Sequence, residues 1–155
     1  MRGPRRVRRG PRTAGPVRAA STGHAHLGRY RRRRALGDTM VTMALDLFAG
    51  IPVSDYASAL AWYERLLGDA PAFFPNDTEA VWELGEHRYV YIAVRPDRAG
   101  RAMQTVVVGD LDDRVARIAG RGLEPAMRER YPEGMHKVTY RDPDGNEFAF
   151  GGLSS

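Results

Sequence analysis

Between positions 47 and 150 the apolar residues of this chain switch between two periods, and they do so twice in the same order. An apolar run over 47–53 predicts a strand, at an edge or an end because Pro52 cannot donate to a ladder. Ser54-Asp55 follows, and then Ala59, Leu60, Tyr63 and Leu67 recur at helical spacing, with Trp62 and Leu66 widening the face. This predicts a helix over 56–67, capped by Ser54 or Asp55 and stopped by Gly68 in the left-handed conformation. Residues 71–74, 80–84 and 89–94 read as three strands, split by turns at Asn76-Asp77 and Gly85-Glu86.

The second copy starts after a loop over 97–100. Residues 103–108 form a β-branched-rich strand, and Asp110 is placed to cap a helix over 111–119, with Asp113 adding negative charge at its positive end. That helix has a thin apolar face of Val115, Ile118 and Ala119, and Gly120 and Gly122 end it. Residues 124–130, 136–141 and 147–150 are the remaining strands. Between the last two, Asp142-Pro143-Asp144-Gly145-Asn146 reads as a tight turn: Pro143 fixes φ, Gly145 permits positive φ, and the Asp and Asn side chains bond nearby backbone. Two βαβββ units, over about 45–96 and 102–152, predict an α+β domain whose half-sheets bury their apolar faces and enclose a cavity.

Composition divides the chain further. It has 155 residues, 43% of them hydrophobic, and no cysteine, which removes disulfides, thiol nucleophiles and thiolate metal sites. The lack of cysteine fits a cytoplasmic protein, and no apolar stretch approaches the ~20 residues of a membrane span. The net charge of +5 conceals two opposite halves. Residues 1–42 carry twelve arginines against Asp38 alone, whereas 43–155 carry twelve basic residues against eighteen acids, a balance of −6.

The segment 1–42 has no apolar periodicity and is expected to be a disordered, arginine-rich tail. A basic arm of this kind binds nucleic acid through phosphates, but with Tyr30 as its one aromatic it lacks a stacking surface, so nucleic acid is not an expected partner of the domain. Its Arg, Gly, Pro and Ala are what GC-rich DNA encodes by default. The expected working start is therefore Met40 or Met43, just ahead of the first strand.

Candidate chemistry is sparse. Phe48, Phe74, Trp82, Tyr89, Tyr91, Tyr131 and Tyr140 fall on strands or their ends, and alternation puts Tyr89 and Tyr91 on one face. They are either plain core or the lining of an apolar small-molecule pocket. Glu147 shares a face with Ala149 and is either a cavity acid or a rim residue bonding the turn. His136, beside Val138 and Tyr140, is either a ligand-binding group or a hydrogen-bonded structural one, and His87 sits at a turn where exposure is expected.

Three stretches, Val53-Ser54-Asp55 with Ala61 to Gly68, Val108 to Asp112, and Asp142 to Phe150, resemble in this order the vicinal oxygen chelate superfamily of glyoxalases, ring-cleaving dioxygenases and bleomycin-resistance proteins. The resemblance implies paired βαβββ modules with a cupped mixed sheet around a pocket. In the enzymes of the family a divalent metal is held by His or Glu at three positions that fall here on Phe48, Met103 and Ala149. None of these is a ligand for a hard divalent ion. The resemblance therefore implies a metal-free and cofactor-free binding protein, a homodimer that takes a small organic molecule against Phe48, Trp82, Tyr91, Met103, His136, Glu147 and Ala149. Acidic surroundings favour a neutral or cationic aromatic ligand. The alternative is a lyase, isomerase or dioxygenase whose metal sits on a displaced set, Glu83, His136 and Glu147.

Overall fold

A computed structural model describes residues 45–154, so the arginine-rich segment and the two candidate start methionines lie outside the described residues. The first module is β1 (Leu47–Val53), α1 (Tyr56–Leu67), β2 (Phe73–Asn76), β3 (Glu79–Gly85) and β4 (Arg88–Val94). The second is β5 (Met103–Val107), α2 (Leu111–Gly120), β6 (Met127–Arg130), β7 (Met135–Arg141) and β8 (Glu147–Leu153). Each makes a four-stranded mixed sheet of the same topology, β1-β4-β3-β2 and β5-β8-β7-β6, with the first strand parallel to the last and at the sheet's edge.

Local chemistry sets the element boundaries. Asp55 caps α1 by accepting from the Ser58 N–H at 2.8 Å, and the Ser58 side-chain and backbone bonds hold its carboxyl below the usual range. Gly68 ends α1 at φ 84°, its N–H donating to the Glu64 carbonyl at 2.9 Å. The second helix departs from expectation. Asp110 makes no side-chain cap bond, because its carboxylate is drawn to Arg114 at 3.2 Å and Arg117 at 2.6 Å. Two charge-assisted bonds outweigh one bond to a backbone N–H. The strand expected over 124–130 is shortened to its last four residues, and the one expected over 147–150 runs on to Leu153.

Both helices lie on the same side of their sheets, and these helix-bearing sides share one core. From the first module it takes Ile51, Trp62, Tyr63, Trp82 and Ile92, and from the second Ile118, Tyr140, Phe148 and Phe150. The Tyr63 and Phe148 rings meet edge to face with centroids 6.4 Å apart, and Arg114 lies over the Phe150 ring at 5.3 Å. Each sheet thus turns its helix side to this core and its other side away from it.

A polar staple joins the modules beside this core. Asp142, 5% exposed, accepts from the Tyr63 hydroxyl at 2.9 Å, from the Asn146 amide at 2.8 Å, and from the N–H groups of Asn146 and Asp144 at 2.9 and 3.0 Å. Asn146 also donates to the Pro52 carbonyl at 2.8 Å and accepts from the Ala102 N–H at 2.9 Å. Asp144 takes the backbone and hydroxyl donors of Ser54. Burial, then the Asp142 charge, push the Tyr63 phenol far up, which keeps it a donor. Arg121 completes the join by donating to the Arg65 and Leu66 carbonyls at the end of α1.

Close packing makes one glycine indispensable. A Cβ on Gly152 would lie 2.5 Å from the Val108 carbonyl oxygen and 3.2 Å from Leu111 Cβ. The obstruction is backbone and cannot swing aside. Gly152→Ala is expected to destabilise the fold by about 1–3 kcal/mol, read as a lower urea midpoint at unchanged m-value.

Candidate functional site

The outward side of the first sheet is aromatic and acidic. Register and alternation place Phe48, Gly50 and Pro52 of β1 beside Tyr89, Tyr91 and Ala93 of β4, and these beside Glu83, Val81 and Glu79 of β3. Phe48 and Tyr89 stack with centroids 4.6 Å apart and planes inclined by 13°. The Tyr91 ring lies across Gly50, where a Cβ would fall 2.7 Å from its hydroxyl oxygen. The Tyr89 hydroxyl donates to Glu83 at 3.3 Å, and Arg95 stands 3.7 Å from the buried Glu79 carboxylate. His87, expected to be exposed, is instead half-buried: at φ 64° its ring turns to Asp46, 2.8 Å away, ahead of β1.

The outward side of the second sheet is small and polar at its centre. Met103, Thr105 and Val107 of β5 adjoin Glu147, Ala149 and Gly151 of β8, and these adjoin Arg141, Thr139 and Lys137 of β7. Glu147 accepts from the Arg141 guanidinium at 3.0 and 3.3 Å, so it engages the neighbouring strand rather than the turn. Lys137 pairs with Glu129 of β6 at 3.4 Å.

The seven residues expected to share a site thus divide three ways. Phe48 and Tyr91 face outward on the first sheet, and Met103, Glu147 and Ala149 face outward on the second. Trp82 lies on the helix-bearing side, 2% exposed, with its indole N–H bonded to the Asp69 carbonyl at 3.0 Å. His136 shares the helix-bearing side of β7 with Val138 and Tyr140. Sequence periodicity could not say which strand face carried the helix, and Trp82 and His136 share that face. Thr139 and Glu79, buried on the sides away from the helices, do not stand out in a linear reading.

The metal positions implied by the resemblance hold a phenyl ring, a thioether and a methyl group, and these do not fit a divalent ion. The displaced set does not assemble either. Glu83 lies on the outward side of the first sheet, Glu147 on that of the second, and His136 on the helix side. Among the described residues no three His, Asp or Glu side chains gather closely enough to hold an ion. Nor is any helix among them long and apolar enough to cross a membrane.

The chain is similar to several solved structures. A glyoxalase/bleomycin resistance protein from Catenulispora acidiphila is 53% identical, with 72% of this chain and all of that one covered at a TM-score of 0.70. A bleomycin-binding protein complexed with bleomycin is 19% identical (72% and 100% covered, TM-score 0.58), and a lactoylglutathione lyase from Agrobacterium tumefaciens 18% (72% and 94%, TM-score 0.58). Among curated proteins none matches. The model of the Glyoxalase/Bleomycin resistance protein/Dioxygenase superfamily matches residues 44–150, the two modules observed here, and the chain belongs to that family.

Proposed function

We propose that this protein binds a flat, neutral or cationic aromatic molecule in a cup that two copies of the chain build together. The observation that carries the reading is the aromatic side of the first sheet, opposite its helix. The stacked Phe48–Tyr89 pair and Tyr91 lie outside the shared core, beside Glu83 and Glu79, whose charge disfavours anions. An aromatic stack bordered by a few polar groups is the usual lining of a small-molecule site.

The second copy is argued from β5. It is an edge strand without proline or charge, and Met103 and Val107 on its outward side are each 71% exposed. Such an edge is a template for pairing unless something covers it. The matching edge of the first module is β1, also uncharged, so β1 of one copy against β5 of the other closes a two-fold dimer. The aromatic face of one copy then stands opposite the small polar face of its partner. The bleomycin-binding neighbour gives a precedent for an organic ligand on this fold.

Sedimentation equilibrium and a thermal-shift screen of flat aromatic compounds test the proposal. A dimer is expected, with neutral and cationic aromatics raising Tm and anionic analogues not. A ligand at about 100 times its Kd adds about 2.7 kcal/mol of stability. A strictly monomeric protein at micromolar concentration contradicts the assembly, and a shift confined to anions contradicts the ligand class.

A further inference from the structure

On the second sheet's outward side the Thr139 hydroxyl stands apart from the ion pairs around it. Thr139 is 1% exposed, and its hydroxyl has no hydrogen-bond partner among the described residues. It sits at the centre of the face, across from Ala149 on one side and Met127 on the other, with Lys137 and Arg141 two residues away along β7. Ala149 and Gly151 make the adjoining strand small beside it, and the longer Lys137 and Arg141 flank it along β7. A buried hydroxyl without a partner is a cost that a bound molecule can relieve.

Resting on the reading of this face as one wall of the cup, we infer that the Thr139 hydroxyl anchors the ligand, and that the group it meets is a neutral hydrogen-bonding one such as an amide. The neutrality follows from the charges around it. Arg141 is held by Glu147 and Lys137 by Glu129, so the frame is charge-balanced. An anionic head group must compete with those carboxylates, and a cationic one with the arginine and lysine. A neutral amide adds a bond to Thr139 and leaves both pairs intact. Arg141, whose side chain is 54% exposed, can swing toward solvent and admit it.

Three probes of one shape make the test: benzamide, benzoate and benzamidinium, neutral, anionic and cationic. Each is titrated at millimolar concentration into the full chain and followed by protein-detected NMR. Benzamide is expected to perturb β7 and β8 and to bind about three- to tenfold tighter than either charged analogue. Thr139→Val removes that preference and lowers benzamide affinity by the same factor, whereas Thr139→Ser keeps it. The free Thr139→Val protein melts at or above the wild-type temperature, because its methyl group replaces an unsatisfied hydroxyl. A lowered melting temperature, unchanged benzamide affinity, or equal binding of a charged analogue overturns the inference. Failure of all three probes to bind wild type overturns the aromatic cup as well, whereas binding without head-group preference overturns the anchor alone.

Discussion

Asp142→Ala is expected to destabilise the protein by about 3–5 kcal/mol, the largest loss from any single side chain outside the apolar core. Four donors from Tyr63, Asn146 and Asp144 converge on this carboxylate in a site only 5% exposed. Truncation leaves all four without their acceptor where water cannot serve every one of them. The loss is a large share of the 5–15 kcal/mol typical of a folded domain. Tyr63→Phe removes one bond of the four and should cost about 1 kcal/mol. Urea denaturation checks both values. Equal costs for the two variants would mean that the Tyr63 bond dominates and the staple does not act as a unit.

Val107→Glu is expected to split the dimer and abolish binding together. Val107 is 71% exposed on β5, so a glutamate there is tolerated by the isolated chain, and far-UV circular dichroism should be unchanged. At the proposed seam its charge is buried without a partner, a penalty of several kcal/mol, or at least about 100-fold in dimer affinity. Sedimentation should report a monomer, and aromatic ligands should lose their thermal shift. A monomeric variant that still binds with wild-type affinity would show that one chain suffices.

Much of the fold was legible because its signals are local. The limits of β1 and α1 follow from an apolar run, an aspartate cap and a terminal glycine, all within positions 47–68. The turn at 142–146 forms as its composition demands, with Gly145 at φ 93°. That the same turn also staples the modules was not legible. Its partners Tyr63 and Pro52 lie 79 and 94 positions away, and nothing in a tight turn announces what its spare oxygens will bond. The capping role expected of Asp110 failed for a similar reason: cap preference is local, while the pull of Arg114 and Arg117 depends on the helix already being formed.

The site was half legible. Alternation grouped Tyr89 with Tyr91, and the resemblance marked Phe48, Met103 and Ala149 as pocket positions, which lie on the sides away from the helices. Yet period two gives two faces without saying which one the helix covers, and Trp82 and His136 fell on the covered side. Which side of each sheet meets the shared core follows only from how the two modules pack.

Complementation between two damaged copies tests that geometry most directly. Tyr89→Ala on β4, away from the seam, breaks the aromatic stack, Thr105→Trp crowds the face opposite, and each variant alone should be a dimer that binds no ligand. Mixed in equal amounts and allowed to exchange, half the dimers carry one copy of each, with one intact cup and one doubly damaged. Calorimetric titration should then recover about a quarter of the wild-type sites at wild-type affinity. Zero recovered sites, with subunit exchange verified, would place both walls of the pocket in a single chain and contradict the shared cup.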